Sequence, residues 1–313
     1  MDKKVLLITN NFPPPVNGGS MRVYKFAKYL LRHGYDVYVL CNAHNVLEEI
    51  KKDTKLFSEI GEAKYISVPS IGRTKNSSTN KAINNSNSSV GFVSKIKKFI
   101  LNTLEKWTVP DLMRYRWNNK ALKEAKKIIE QYNIKNVVTS SPPHSTQLIG
   151  LSLKREFKEK INWIVDFRDL WHMSPDFQIG NKKLKFYNAF LESRVLKFAD
   201  KVIFVSDSIK QETIKSFQNI KLKDKIITIT NGFDHDDYKI KLNQQTTEKC
   251  FSYLGSISGP RSNNKLLKGI ESFFSKNKYN DVKFKFVGDF SLDFKESIKN
   301  IKSYITIIDS VKH

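Results

Sequence analysis

Several clusters of polar and small residues each follow an apolar, strand-like run and precede a helical pattern. The richest is Asp166-Phe167-Arg168-Asp169-Leu170-Trp171-His172. Asp166, Arg168 and Asp169 form either a local ion-pair set or a group of donors and acceptors for a sugar or phosphate. Trp171 would be an apolar wall. In Ser140-Ser141-Pro142-Pro143-His144-Ser145, His144 is either a proton carrier and hydrogen-bond donor or a polar residue opening a helix. The loop Asn10–Ser20 ends in Gly18 and Gly19. Paired glycines allow close backbone approach, and a helix N-terminus offers free N–H groups to an anion. The loop lacks the GxGxxG spacing of a dinucleotide turn, so an ordinary glycine-containing loop stays open. Asn231-Gly232-Phe233-Asp234 reads as a turn. Gly255-Ser256-Ile257-Ser258-Gly259-Pro260-Arg261 offers backbone N–H groups and one guanidinium, with Lys265 a helical turn further on. Those groups suit a diphosphate; solvated charges are the alternative.

The elements that must position these clusters alternate regularly. Val5–Thr9 is a strand and Met21–His33 a helix whose apolar positions Val23, Phe26, Ala27, Leu30 and Leu31 share one face. Gly34 stops that helix, and Tyr35–Leu40 is the next strand. Further along, helices are expected at Ala121–Tyr132, Thr146–Phe157, Lys182–Phe198 and Ile209–Phe217. Strands are expected at Asn136–Ser140, Ile161–Asp166, Lys201–Ser206 and Lys225–Thr230. Strands that are short, continuous apolar runs between helices indicate a parallel sheet covered on both faces, hence an α/β class. In such sheets ligands bind beyond the carboxyl ends of the strands, where the clusters lie. A polar connector, Lys239–Lys249, separates a second α/β series: strands Cys250–Gly255, Val282–Val287 and Tyr304–Ile308, helices Asn264–Ser275 and Leu292–Ile301. Residues 1–240 are thus expected to form one domain, and 241–313 a linker and part of another.

Composition narrows the function classes. The chain has 313 residues, 54 Lys and Arg against 31 Asp and Glu, and a formal charge of +23. Such a surface attracts polyanions, but no zinc-finger spacing, RNP pattern or heptad-linked basic region accompanies it, and no nucleic-acid partner is expected. A lysine-rich solvated background also explains the excess. Cys41 and Cys250 stand alone, without a Cys/His cluster, so neither a disulfide framework nor a metal site is expected and a reducing compartment fits. No apolar run reaches membrane-spanning length, and the N-terminus enters a strand without a signal-peptide layout. Gly72–Gly91, rich in Ser and Asn, is expected to be a flexible loop. Phe92, Ile96, Phe99, Ile100, Leu104 and Trp107 fall near one helical face beside several lysines. This 92–107 stretch could lie on an anionic membrane or pack on the first domain.

Six of these pieces occur in an order that resembles the GT-B-fold glycosyltransferases of family 4, especially bacterial surface-polysaccharide members. They are Asn11-Phe12-Pro13-Pro14 with Gly18-Gly19, Val109-Pro110-Asp111 with Trp117, Ser140-Ser141-Pro142-Pro143 with Leu148-Ile149-Gly150, Asp166–Trp171, Asn231–Asp234, and Tyr253-Leu254-Gly255. The resemblance implies two Rossmann-like domains, an N-terminal one for the acceptor and a C-terminal one for a nucleotide-sugar donor. It implies sugar transfer to a glycan or lipid-linked acceptor with retained configuration, without metal or cofactor, on the cytoplasmic side and at the inner face of the plasma membrane. Gly18 and Gly19 would sit beside the transferred sugar, with Ser141 and His144 on the acceptor side. Asp166, Arg168 and Asp169 would shape the cleft floor. Asn231, Gly255, Arg261 and Lys265 would serve the donor. The family also carries a glutamate pair, spaced eight apart, late in its second domain, and this chain ends before it. The resemblance therefore implies a fragment or truncated product with weak or absent transfer. The alternatives are a GT-B-fold nucleotide-sugar epimerase and a non-catalytic fragment that binds polyanions or membrane.

Overall fold

The computed structural model describes residues 3–13, 18–43, 45–71, 109–174, 182–237, 249–255, 257, 265–276, 282–298 and 304–309. The segments 72–91 and 92–107 and Arg261 lie outside them. Two compact units divide between Gly232 and Phe233.

The first unit holds seven strands: β1 (Lys4–Thr9), β2 (Asp36–Cys41), β3 (Lys64–Ser67), β4 (Asn136–Ser141), β5 (Asn162–Phe167), β6 (Lys201–Phe204) and β7 (Ile226–Thr228). They form one sheet in the order β3-β2-β1-β4-β5-β6-β7, and every pairing is parallel. Chain progress runs outward from β1 in one direction and from β4 in the other. The β1/β4 boundary is therefore the switch point, where crossovers leave toward opposite edges and open a crevice. Register sets Thr9 beside Ser140 and Ser140 beside Asp166. The carboxyl ends of β1, β4 and β5 thus carry three neighbouring polar residues.

Both faces of this sheet are covered, as the apolar strands require. Successive side chains of β1 part to opposite cores. Val5 and Leu7 pack with Val23 and Ala27 of helix α1 (Gly18–Arg32) and with α2 (Val46–Lys51) and α3 (Thr54–Ile60). Leu6 and Ile8 join the core under α5 (Asn118–Tyr132), α6 (Thr146–Phe157) and α7 (Lys182–Phe198). A short α4 (Met113–Arg116) precedes α5, and α8 (Asp207–Ser216) follows β6. Gly34, at φ 73°, takes the left-handed turn that ends α1. Gly150 lets α6 approach β5 closely: a Cβ there would sit 2.1 Å from the Trp163 indole nitrogen. That indole donates to Thr139 Oγ1 at 2.9 Å.

The expected helices at Thr146–Phe157 and Lys182–Phe198 have the observed bounds. The apolar pattern does not indicate α2, α3, β3 or α4. Each is four to seven residues long, too short for an apolar period to declare itself.

The second unit, considered by itself, has β8 (Lys249–Leu254), α9 (Lys265–Lys276), β9 (Val282–Val287), α10 (Leu292–Ser297) and β10 (Ile305–Ile308). Its parallel sheet runs β10-β9-β8. Leu267, Ile270, Phe274, Phe286 and Phe294 build its core.

Candidate functional site

The polar cluster of the first unit is built around Asp166, at the end of β5 and fully buried. Arg22 of α1 holds it: Nη2 donates to Oδ1 at 2.9 Å, and Nε reaches both carboxylate oxygens at 3.1 Å. Ser140 Oγ donates to Oδ2 at 2.6 Å. The same guanidinium donates to Asn231 Oδ1 at 3.1 Å and to the Ile229 carbonyl at 2.8 Å. One arginine therefore ties α1, β5 and the segment after β7 together. No motif in the sequence marks Arg22. The available signal was a cation beside the apolar stripe of α1, where its guanidinium lies 4.9 Å from the Phe26 ring.

An ion pair of Arg168 with Asp166 or Asp169 is one of the two readings the sequence leaves open. The hydrogen bonds of Arg168 go instead to backbone carbonyls: Nε to Ser141 at 2.9 Å, Nη1 to Gly19 and Nη2 to Pro142. The two aspartates act on it only through their charge, and burial draws its pKa below the usual arginine range. Arg168 thus pins the first turn of α1 to the turn after β4. Asp169 is exposed.

His144 stacks on Trp171, with ring centroids 5.2 Å apart and planes 3° from parallel. Burial, against a hydrogen bond with the Leu170 backbone, lowers its pKa to about 3, so the ring is neutral at physiological pH. Its Nδ1 is buried without a hydrogen-bond partner. Asn10, just beyond β1, likewise has a buried, unpartnered Nδ2. Buried polar groups are nearly always satisfied, so each of these atoms, one after β1 and one after β4, has a hydrogen bond left to make.

Trp171 is completely buried, and its Nε1 donates to Asn188 Oδ1 of α7 at 2.7 Å. It backs the His144 ring rather than forming an exposed wall. His172 is anchored too: its backbone N–H and Nδ1 meet Glu192 Oε2 at 3.0 and 2.7 Å. Ser141 is buried with its hydroxyl accepting from Gln147 Nε2 at 2.9 Å, which takes it off the lining. Gly18 and Gly19 open α1.

Of the expected residues, Asp166 and Asn231 therefore meet on Arg22, and Gly19 meets Arg168, while His144 is placed by its stacking on Trp171. Gly255 and Lys265 belong to the second unit. Gly255, at φ 138°, donates its N–H to the Val287 carbonyl at 2.9 Å, and Lys265 is the exposed first residue of α9. Among the described residues no group of three His, Cys, Asp or Glu could hold a metal ion. No described helix is long and apolar enough to cross a membrane.

The family model "Glycosyltransferase Family 4" matches residues 16–237. No curated protein sequence matches the chain. Solved structures share its fold, which is of the GT-B type. The Anabaena protein HepE, solved with UDP and glucose, is 13% identical with a TM-score of 0.55, over 99% of this chain and 70% of its own. S. aureus TarM is 13% identical at 0.61, over 100% and 77%. Sucrose-phosphate synthase of Thermosynechococcus elongatus is 13% identical at 0.55, over 99% and 71%. Identities this low speak for the fold alone; the match to the family model over most of the chain speaks for kinship. The chain belongs to Glycosyltransferase Family 4.

Proposed function

We propose that the protein transfers a sugar from a nucleotide-sugar donor to a glycan or lipid-linked acceptor in surface-polysaccharide synthesis, with retention of anomeric configuration. The observation that carries this reading is the pair of buried, unpartnered atoms at the switch point, Asn10 Nδ2 and His144 Nδ1. A sugar is dense in hydroxyls that both donate and accept, and it satisfies an amide donor and a neutral imidazole at once. A neutral His144 hydrogen-bonds a hydroxyl without bringing a positive charge to the reacting carbon.

Arg22 and Arg168 keep the loops around these two atoms in place. The N-terminus of α1, at Gly18 and Gly19, supplies a positive dipole end beside them. Gly255, Arg261 and Lys265 of the second unit are assigned to the donor diphosphate. There a fixed positive field would stabilise the leaving group without a metal or resident cofactor. The departing phosphate would accept the acceptor's proton on the face it leaves. HepE and TarM, similar in fold, were each solved with UDP, which supports a nucleotide-sugar as donor here. The working position would be the cytoplasmic face of the membrane.

Isothermal titration with a panel of UDP- and GDP-sugars and with the bare diphosphates tests this. One nucleotide-sugar should bind more tightly than its own nucleoside diphosphate. His144→Ala and Asn10→Ala should narrow that gap by about 5- to 100-fold, the worth of a buried hydrogen bond. Arg261→Ala should weaken the sugar-nucleotide and the bare diphosphate alike. A folded chain that binds no nucleotide-sugar, or a gap that neither unit 1 variant changes, would refute the proposal.

A further inference from the structure

Helix α7 buries two polar side chains one turn apart, Asn188 at 1% exposure and Glu192 at 3%. Leu191, Val195 and Leu196, on the same side of the helix, join the apolar core. An amide and a carboxylate among such neighbours are costly unless each is hydrogen-bonded. Both are. Asn188 donates Nδ2 to the Leu184 carbonyl at 3.0 Å. That bond orients its Oδ1, which accepts from Trp171 Nε1 at 2.7 Å. Glu192 Oε2 takes the next residue twice: it accepts from the His172 backbone N–H at 3.0 Å and meets His172 Nδ1 at 2.7 Å.

These bonds reach His144. Trp171 carries the ring on which the imidazole lies, and Leu170, just before it, hydrogen-bonds His144 through its backbone. His172, just after it, is held by Glu192 and also meets Phe217 edge-on, with centroids 5.0 Å apart and planes at 64°. Three consecutive loop residues therefore transmit the position of α7 to one imidazole. Packing alone does not call for this arrangement. Apolar side chains at 188 and 192 would fill similar space, and replacing buried polar groups in that way is often neutral or stabilising. What satisfied polar anchors add is direction, because they specify one arrangement of the groups they hold.

We propose that Asn188 and Glu192 are positioning residues for His144, acting through Trp171 and His172. The inference rests on the reading of His144 as a contact to the donor sugar. Both side chains stand behind the loop and act on the sugar only through it. With Trp171 fixed, His144 is held in one place, and the entropy of ordering it is lost on folding, before the sugar arrives. Loosening the clamp leaves the ring chemically intact and lowers the fraction of time it is in place.

Two measurements on the whole chain test this. The first follows the ring signals of labelled histidines by NMR, with no donor present, and His144→Ala identifies the His144 signal. In Glu192→Ala that signal should shift. Its titration should move up from about 3 toward the ordinary histidine range as the loosened ring gains water, with Arg168 the charged group still acting on it. The signals of the exposed His33 and His235 should stay in place. The second compares, by titration calorimetry, a nucleotide-sugar with its bare diphosphate. Glu192→Ala should narrow the gap about two- to tenfold, the worth of one hydrogen bond, and leave diphosphate binding unchanged. Glu192→Gln keeps an acceptor oxygen for His172 and should stay within about twofold of the parent. Ile50→Val weakens the core on the other face of the sheet and should move neither readout. Circular dichroism melts establish that each variant is folded; if Glu192→Ala is not, Asn188→Leu is read in the same two ways. A His144 signal left in place would overturn the proposal. So would a gap that His144→Ala narrows and Glu192→Ala does not, equal losses for nucleotide-sugar and diphosphate, or a gap narrowed as much by Ile50→Val. If His144→Ala itself leaves the gap unchanged, the sugar reading falls, and the ring signals still decide whether α7 positions His144.

Discussion

Removing the Asp166 carboxylate should unsettle the whole first unit. In Asp166→Ala the Arg22 guanidinium, 4% exposed, loses its counter-ion and keeps only the Asn231 and Ile229 oxygens. Ser140 loses its acceptor as well. Breaking a buried ion pair by deleting one partner costs about 3–5 kcal/mol, mostly because the other charge is left uncompensated. For a unit of this size about 1 kcal/mol moves the midpoint by roughly 2–4 °C, so the loss should be roughly 6–20 °C. Arg22→Met should do the converse, stranding a buried carboxylate. The double variant Arg22→Met with Asp166→Leu removes both charges and should recover at least half of the loss, since neither ion remains stranded. Thermal unfolding of the four proteins, followed by far-ultraviolet circular dichroism, gives the cycle directly. An Asp166→Ala midpoint within about 2 °C of the parent, or a double variant as unstable as the two singles added, would refute the reasoning.

Three further outcomes follow from the geometry. Gly150→Ala forces a methyl onto the Trp163 ring; it should cost about 1–3 kcal/mol in urea denaturation and change the tryptophan fluorescence. Asn188→Leu leaves the buried Trp171 N–H without its acceptor; it should cost about 1–3 kcal/mol and loosen His144, read as a lower affinity for the donor. His144 titrates near 3 when folded and about 6.5 when unfolded. Between those values the unfolded chain binds the extra proton, so stability falls as pH drops from 6.5 toward 3. His144→Phe keeps an aromatic ring on Trp171 and removes the proton site, so its urea midpoint should decline less steeply from pH 6.5 to 4 than that of the parent; parallel slopes would contradict the assignment.

The sequence exposed the layered architecture because parallel strands covered on both faces must be continuous apolar runs. The helices between them are long enough to show their period. Thr146–Phe157 and Lys182–Phe198 are readable for that reason. The site was legible only in part. His144, Asp166 and Arg168 stand where a strand ends, and that position alone nominated them. Their partners were hidden, because contacts such as Arg22 with Asp166, 144 residues apart, leave no local pattern. The same gap hides the partners of Arg168: nearby carboxylates are one option in the sequence, whereas the fold presents three carbonyls. The residue type of Trp171 suits an apolar wall. Only the acceptor on α7 reveals that the ring is buried behind His144.

The central claim is that a donor sugar sits over the carboxyl ends of β1, β4 and β5. Hydrogen exchange of the whole chain, with and without a saturating nucleotide-sugar, tests that most directly. The account predicts slowed exchange in the segments around Asn10, Gly18–Gly19 and Ser140–Ser145, lost in His144→Ala at the same donor concentration. Donor-dependent protection that spares those segments and appears elsewhere would contradict it.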